Sequence, residues 1–208
     1  MRLDFHVHTT AYSPCSTMSP DETAVAAKGA GLDGICITEH DRIWTVEDAK
    51  ALSDRHGIAV FRGMEITTKA GDVVVFGLEE EPTEMWSPEF LKEKVDNAGG
   101  LAIAAHPFRG FLVFGFGSMQ MDLDQAMANP TLPHVHAVEV CNSLVTADEN
   151  DMAARVADEM GLLKVGGSDA HKPSTLGTCV MVFEDRLQDE SQLIEAVLAG
   201  RYTLERAK

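Results

Sequence analysis

The sequence predicts an α/β fold, a parallel sheet wound with helices into a barrel. Three observations point there. Short apolar runs alternate with helix-like stretches along the chain, glycines fall where the helices should stop, and most apolar runs lead into His, Asp or Glu. The 208 residues suffice for one such barrel, and no repeat, low-complexity tract or Pro/Ser-rich linker marks a boundary. Residues 1–208 are therefore read as one domain.

In chain order, the first apolar run, residues 3–7, reads as a strand leading through His6 to His8. Ser19-Pro20 followed by Asp21 and Glu22 starts a helix over 20–30, with acidic side chains in its first turn. A strand at 34–38 runs into Glu39-His40-Asp41, and a helix at 46–56 stops at Gly57. Strands follow at 59–65, ending on Glu65, and at 73–77. A helix at 88–98 stops at Gly99, and the strand at 101–105 delivers His106. A short helix at 123–128 and a strand at 137–140 come next, then a helix at 147–160 closed by Gly161. The strand at 163–166 precedes Asp169 and His171, another covers 178–183, and a helix at 191–199 ends at Gly200.

Composition narrows the function classes. A net charge of -16 disfavours nonspecific attachment to nucleic-acid backbones or anionic lipid, so no stable nucleic-acid complex and no membrane partner are expected. It does not exclude a phosphorylated substrate, since bound cations reverse the field inside a cleft. The N-terminus lacks the pattern of a signal peptide, and no apolar stretch approaches the ~20 residues that span a bilayer. Cys15, Cys36, Cys141 and Cys179 show no CxxC spacing, so a cytoplasmic, reduced location is expected, with Cys36 and Cys179 in the core.

In a barrel of parallel strands all C-terminal ends share one face. His6 and His8, two apart on a strand, point to the same side, and Asp169 and His171 repeat the spacing. Together with His40, Glu65 and His106 they would converge on one cleft. Imidazoles mixed with carboxylates suit Zn, Mn or Fe rather than Ca or Mg. The alternative is a set of hydrogen-bonded histidines around a barrel mouth. His56, His134 and His136 read as structural or solvated.

The series His6-Val-His8-Thr, Thr38-Glu-His40-Asp, Gly63-Met-Glu65, Ala105-His106-Pro and Gly167-Ser-Asp169-Ala-His171 resembles the ordered motifs of the PHP (polymerase and histidinol phosphatase) family. The resemblance runs from residue 3 to about 200 and implies a distorted (β/α)7 TIM-like barrel. It also implies two or three divalent metal ions (Zn, Mn or Fe) and hydrolysis of phosphoesters. The chain looks like the compact stand-alone branch of the family, without a fused polymerase. Carried over by position, His6, His8, Glu65 and Asp169 would hold a first metal. Glu65 would bridge to a second that also takes His106, and His40 with His171 would hold a third.

Two departures stand out. Where relatives place Asp or His after the HxH, this chain offers Cys15, whose thiolate would favour Zn or Fe(II) over Mn. Otherwise Cys15 is a buried small residue beside a water-completed third site. Many relatives also carry a His in the strand over 72–77, where this chain has Val73, Val74 and Val75. Glu139 or Cys141 could supply the missing ligand, or line the site.

The implied chemistry is in-line attack by a metal-bound hydroxide, with no protein nucleophile. Asp41 would orient His40 or carry protons. Arg109 is the leading phosphate clamp, with Arg42 and Lys172 as further candidates. The Phe- and Gly-rich segment 108–121 reads as core or a dimer contact, or as a lid over the substrate. The expected partner is a small phosphorylated metabolite, a nucleotide or a short oligonucleotide, and the sequence does not fix the oligomeric state. Two other readings compete. One is an amidohydrolase-like enzyme cutting a C–N bond, although no Lys occupies a strand end. The other is a non-catalytic barrel like the protein subunit of RNase P, although that role calls for a basic surface.

Overall fold

The computed structural model describes residues 1–110 and 121–206. Its strands are β1 (Arg2–Val7), β2 (Gly34–His40), β3 (Ala59–Thr68), β4 (Gly71–Phe76), β5 (Leu101–Ala104), β6 (Ala137–Cys141), β7 (Leu163–Gly166), β8 (Cys179–Val182) and β9 (Thr203–Arg206). They form one sheet in the order β7-β6-β5-β4-β3-β2-β1-β8-β9. The helices are α1 (Pro20–Gly29), α2 (Val46–His56), α3 (Pro88–Asn97), α4 (Leu123–Met127), α5 (Ala147–Met160) and α6 (Glu190–Leu198). Each expected element forms within a few residues of its expected bounds, and β9 and a 3₁₀ turn at Leu132–His134 are additions.

The strict alternation of parallel strands and helices does not hold throughout. β4 returns from β3 through a tight turn and runs antiparallel to both β3 and β5, while β8 runs antiparallel to β1. The other pairs, β1–β2, β2–β3, β5–β6 and β6–β7, are parallel. Because β4 is reversed, its start lies level with the C-terminal ends of β3 and β5, as the pairings Thr67↔Asp72 and Val73↔Ala104 show.

The sheet curls into a nearly closed barrel. One buried cluster draws Leu3 and Phe5 from β1, Cys36 from β2, Phe61 from β3, Phe76 from β4, Ile103 from β5 and Val165 from β7. Side chains from strands so far apart in the sheet order meet only if they fill the interior of a curved sheet. Leu193, Ile194 and Val197 of α6 join that cluster and plug one end. The end they plug is the one where β4 finishes, since Ile194 packs against Gly77. The mouth is therefore at the C-terminal ends of the parallel strands. Two further buried clusters lie between sheet and helices, one under α1 and α2 and one under α3 and α5.

The seam between edge strand β7 and the inner strand β1 is closed without a full ladder. The His8 N–H donates to the Ala170 carbonyl and the Ala170 N–H to the His6 carbonyl, both at 3.0 Å. Buried Asp4 accepts the N–H and hydroxyl of Ser168 and the N–H of Gly177. A disulfide between Cys141, ending β6, and Cys179, opening β8, spans the same seam. This corrects the expectation of four reduced thiols with Cys141 lining the site: two residues 38 apart in sequence meet only because the barrel closes. No described helix is long and apolar enough to cross a membrane.

Candidate metal centre

At the barrel mouth the backbone itself is unusual. Among the described residues the non-glycine positive φ angles are those of Asp41 (55°), His106 (29°) and Asp169 (54°), each just beyond a strand end. Such conformations are uncommon outside glycine and collect where the surrounding structure enforces them at functional positions. Gly167 matters for close approach: a Cβ there would strike the Cβ of His6, so only glycine lets the loop after β7 bring Asp169 against β1.

Among the described residues three groups of potential ligand atoms form, each within 4.8 Å of one another: His6, His8, Glu65 and Asp169; Glu65, Asp72 and His106; and His8, His40 and His171. Glu65 belongs to the first two and His8 to the first and third. In the first group Nε2 of His6, Nε2 of His8 and Oδ1 of Asp169 are buried with no hydrogen-bond partner. Buried polar atoms without partners are costly, and here they converge on one point, which fits a cation and little else. The donor set of imidazoles and carboxylates is that of Zn, Mn or Fe.

The far side of the His6, His8 and His171 rings is held by the protein, which leaves the other nitrogen for the cluster. His6 Nδ1 lies 3.0 Å from Oε1 of Glu139, and His171 Nδ1 donates to the carbonyl of Asp169 at 2.9 Å. His8 Nδ1 is 3.3 Å from Oγ of Ser13, which also accepts the His40 N–H at 3.2 Å. Glu139 is thus a positioning residue: its Oε2 also accepts the N–H groups of His106 (2.9 Å) and of the Asn142 amide (2.8 Å).

Charges in this pocket reinforce one another. Burial alone would raise the Glu65 carboxyl, yet the imidazoles of His6, His106 and His40 hold it well below its usual range. Burial likewise opposes a charged His6, but Asp169, Glu65 and Glu139 hold its pKa well above the ordinary value. Burial also works against the Asp169 carboxylate, and the neighbouring imidazoles pull it far down instead. His171, more exposed, is shifted down by burial.

The remaining candidates divide. Arg109 reaches the centre, its Nη2 bonded to Oδ2 of Asp169 and its side chain 40% exposed at the mouth. Arg42 is turned aside, paired with Glu81 at 2.8 Å and lying over the Tyr12 ring. Lys172 is exposed on the loop after His171. Asp41 does not bond the His40 side chain. Its N–H donates to the Glu65 carbonyl and its Oδ1 accepts the Thr67 N–H, so it ties the end of β2 to β3.

The structure sets Cys15 apart from the ligand groups. Cys15 is free, exposed and outside the His8, His40 and His171 group. The turn it sits on places buried Ser13, not Cys15, between His8 and His40. Burial and nearby carboxylates raise the Cys15 thiol. Asp72 is the residue that the sequence reading missed, filling the second group where the valines could not. The signal was the Lys69-Ala70-Gly71 turn after Glu65, which reverses the chain and brings Asp72, near the start of β4, to the mouth. Phe108 is a core residue, whereas Phe111, Phe114 and Phe116 of the aromatic segment lie outside the described residues.

An α/β barrel with His/carboxylate clusters of metal-binding type at its mouth is the class that this geometry defines. The chain belongs to the PHP domain family: the model of that domain matches residues 4–152, and the model described as PHP-associated matches 147–202. An uncharacterised protein of Methanocaldococcus jannaschii is 34% identical over 134 residues, covering 60% of this chain and 77% of that protein. Two solved structures share the fold. A two-domain protein from Bacteroides vulgatus, containing a predicted PHP-like metal-dependent phosphoesterase, has a TM-score of 0.71 at 20% identity, covering 99% of this chain and 64% of that one. An amidohydrolase from Chromobacterium violaceum, with sulfate bound and no metal, has a TM-score of 0.66 at 17% identity, covering 98% and 97%.

Proposed function

We propose that this chain is a metal-dependent phosphoesterase that hydrolyses a small phosphorylated compound at the barrel mouth. The observation that carries the reading is the convergence of Nε2 of His6, Nε2 of His8 and Oδ1 of Asp169, buried and without partners, beside Glu65. His6, His8, Glu65 and Asp169 would hold one divalent ion, Glu65, Asp72 and His106 a second, and His8, His40 and His171 a third. Bound cations of this kind neutralise charge on phosphoryl oxygens and lower the pKa of an attacking water.

The chain's own residues supply the rest. Glu139, Ser13 and the Asp169 carbonyl fix the rings, so the site is arranged before substrate arrives. The Arg109 guanidinium stands at the opening, where it would grip a phosphoryl oxygen. The two family-matched segments contribute strands to one sheet, which supports one catalytic domain over residues 1–208.

A C–N bond hydrolase is the second reading, favoured by the shared fold of the Chromobacterium amidohydrolase. Glu65 is shared by the first two ligand groups, so a carboxylate stands where the amidohydrolase reading calls for a bridging carboxylated lysine, which argues for the phosphoester. Assays of phosphomonoesters and amides side by side, with Mn and with Zn, test the choice. Phosphate release without amide cleavage is expected, and the reverse overturns the proposal.

A further inference from the structure

We propose that the cavity beside the Glu65, Asp72 and His106 group receives the organic part of the substrate, and that this part is an uncharged ring with little hydrogen-bonding capacity. The inference rests on the phosphoesterase reading and narrows its substrate class. A cavity of about 410 Å³ opens between the tip of the β3–β4 hairpin, the end of β5 and the region of α4. Asp72, His106 and Arg109 all line it, so one end is continuous with the candidate metal centre. A ligand whose phosphate sits at that charged end can place its remaining atoms in the cavity.

The walls select what fits. Ala70, Ala104, Ala126 and Ala128 leave room, and Pro107 and Phe108 give the cavity apolar sides. Away from the charged end, most polar side-chain atoms of the lining are already engaged with the protein. Thr131 Oγ1 donates to the Ala70 carbonyl at 2.8 Å, and Asn129 donates to the Pro107 carbonyl while accepting the Thr131 N–H. Gln125 Oε1 accepts the Asp122 N–H at 3.1 Å. A sugar or polyol would surrender water here for few new partners, whereas a ring loses no hydrogen bonds and gains apolar contact. The polar end orients and the apolar body discriminates.

The test uses the Mn-loaded full chain, with phenyl phosphate and glycerol 3-phosphate as substrates and benzyl alcohol as a phosphate-free probe. Ala128 is exposed at the rim, so Ala128→Phe fills the cavity from its edge; Ala70→Leu does the same from the hairpin side should the first variant fail to fold. Wild-type kcat/KM should favour phenyl phosphate by about tenfold or more, and the ratio of the two substrates should fall about tenfold in the variant. Saturation-transfer NMR should detect benzyl alcohol on the wild type and not on the variant. No preference for the ring ester, an unmoved ratio in a folded variant, or equal benzyl alcohol signals would overturn the proposal. If the wild type cleaves neither ester but the benzyl alcohol signals behave as expected, the phosphoesterase reading falls and the ring site stands.

Discussion

Oε1 of Glu139 lies 3.0 Å from Nδ1 of His6, so the imidazole presents only Nε2 to Glu65 and Asp169. The other oxygen of Glu139 takes the His106 N–H, so one carboxylate positions a member of the first ligand group and a member of the second. Glu139→Ala should weaken cation binding about 10–100-fold while leaving the circular dichroism unchanged. Titration calorimetry that returns wild-type affinity would remove Glu139 from this role.

Asp72 gives a sharper case, because it contributes to only one ligand group. Asp72→Ala should lower the metal content by the ion held between Glu65 and His106, and Asp72→His, which keeps a ligand there, should restore it. Metal analysis after gel filtration reads both. Equal metal content in Asp72→Ala and wild type would mean that the second group is complete without Asp72.

Which parts of this site were legible in sequence follows from strand direction. His8, His40, Glu65, His106 and Asp169 lie at or just beyond the C-terminal ends of parallel strands, where a barrel gathers them regardless of detail. Asp72 lies near the start of an antiparallel strand, so a search of C-terminal ends passes over it. Which of Ser13 and Cys15 meets His8 and His40 depends on how one turn is wound, which residue type does not reveal. The Cys141–Cys179 pair depends on closure across the whole sheet, the least local feature of the fold.

Arg109 joins the centre from the side of the mouth, bonded to Asp169 and 40% exposed. Arg109→Ala should raise KM for phosphomonoesters about tenfold while moving kcat less, as expected when a ground-state contact to phosphate is lost. Steady-state kinetics checks this, and an unchanged KM would take Arg109 out of the phosphate site.

The disulfide spans the seam over a sequence separation of 38 residues. Constraining an unfolded loop of that length is worth about 4 kcal/mol in the chain-entropy model. Cys179→Ser, or prior reduction, should therefore lower Tm by about 10 °C, and thiol titration of the unfolded, unreduced protein should find only Cys15 and Cys36. Four reactive thiols before reduction would contradict the pairing.

The claim on which the functional reading rests is that the mouth cages divalent cations through His6, His8, Glu65 and Asp169. Equilibrium dialysis of the purified chain against Mn and Zn, followed by elemental analysis, tests it directly. Wild type should retain two or three ions per chain, one for each ligand group that fills, while His8→Ala and Asp169→Ala should lose metal without losing the fold. A wild-type chain that stays metal-free under excess of either ion, or an Asp169→Ala chain that binds as much as wild type, would contradict the account.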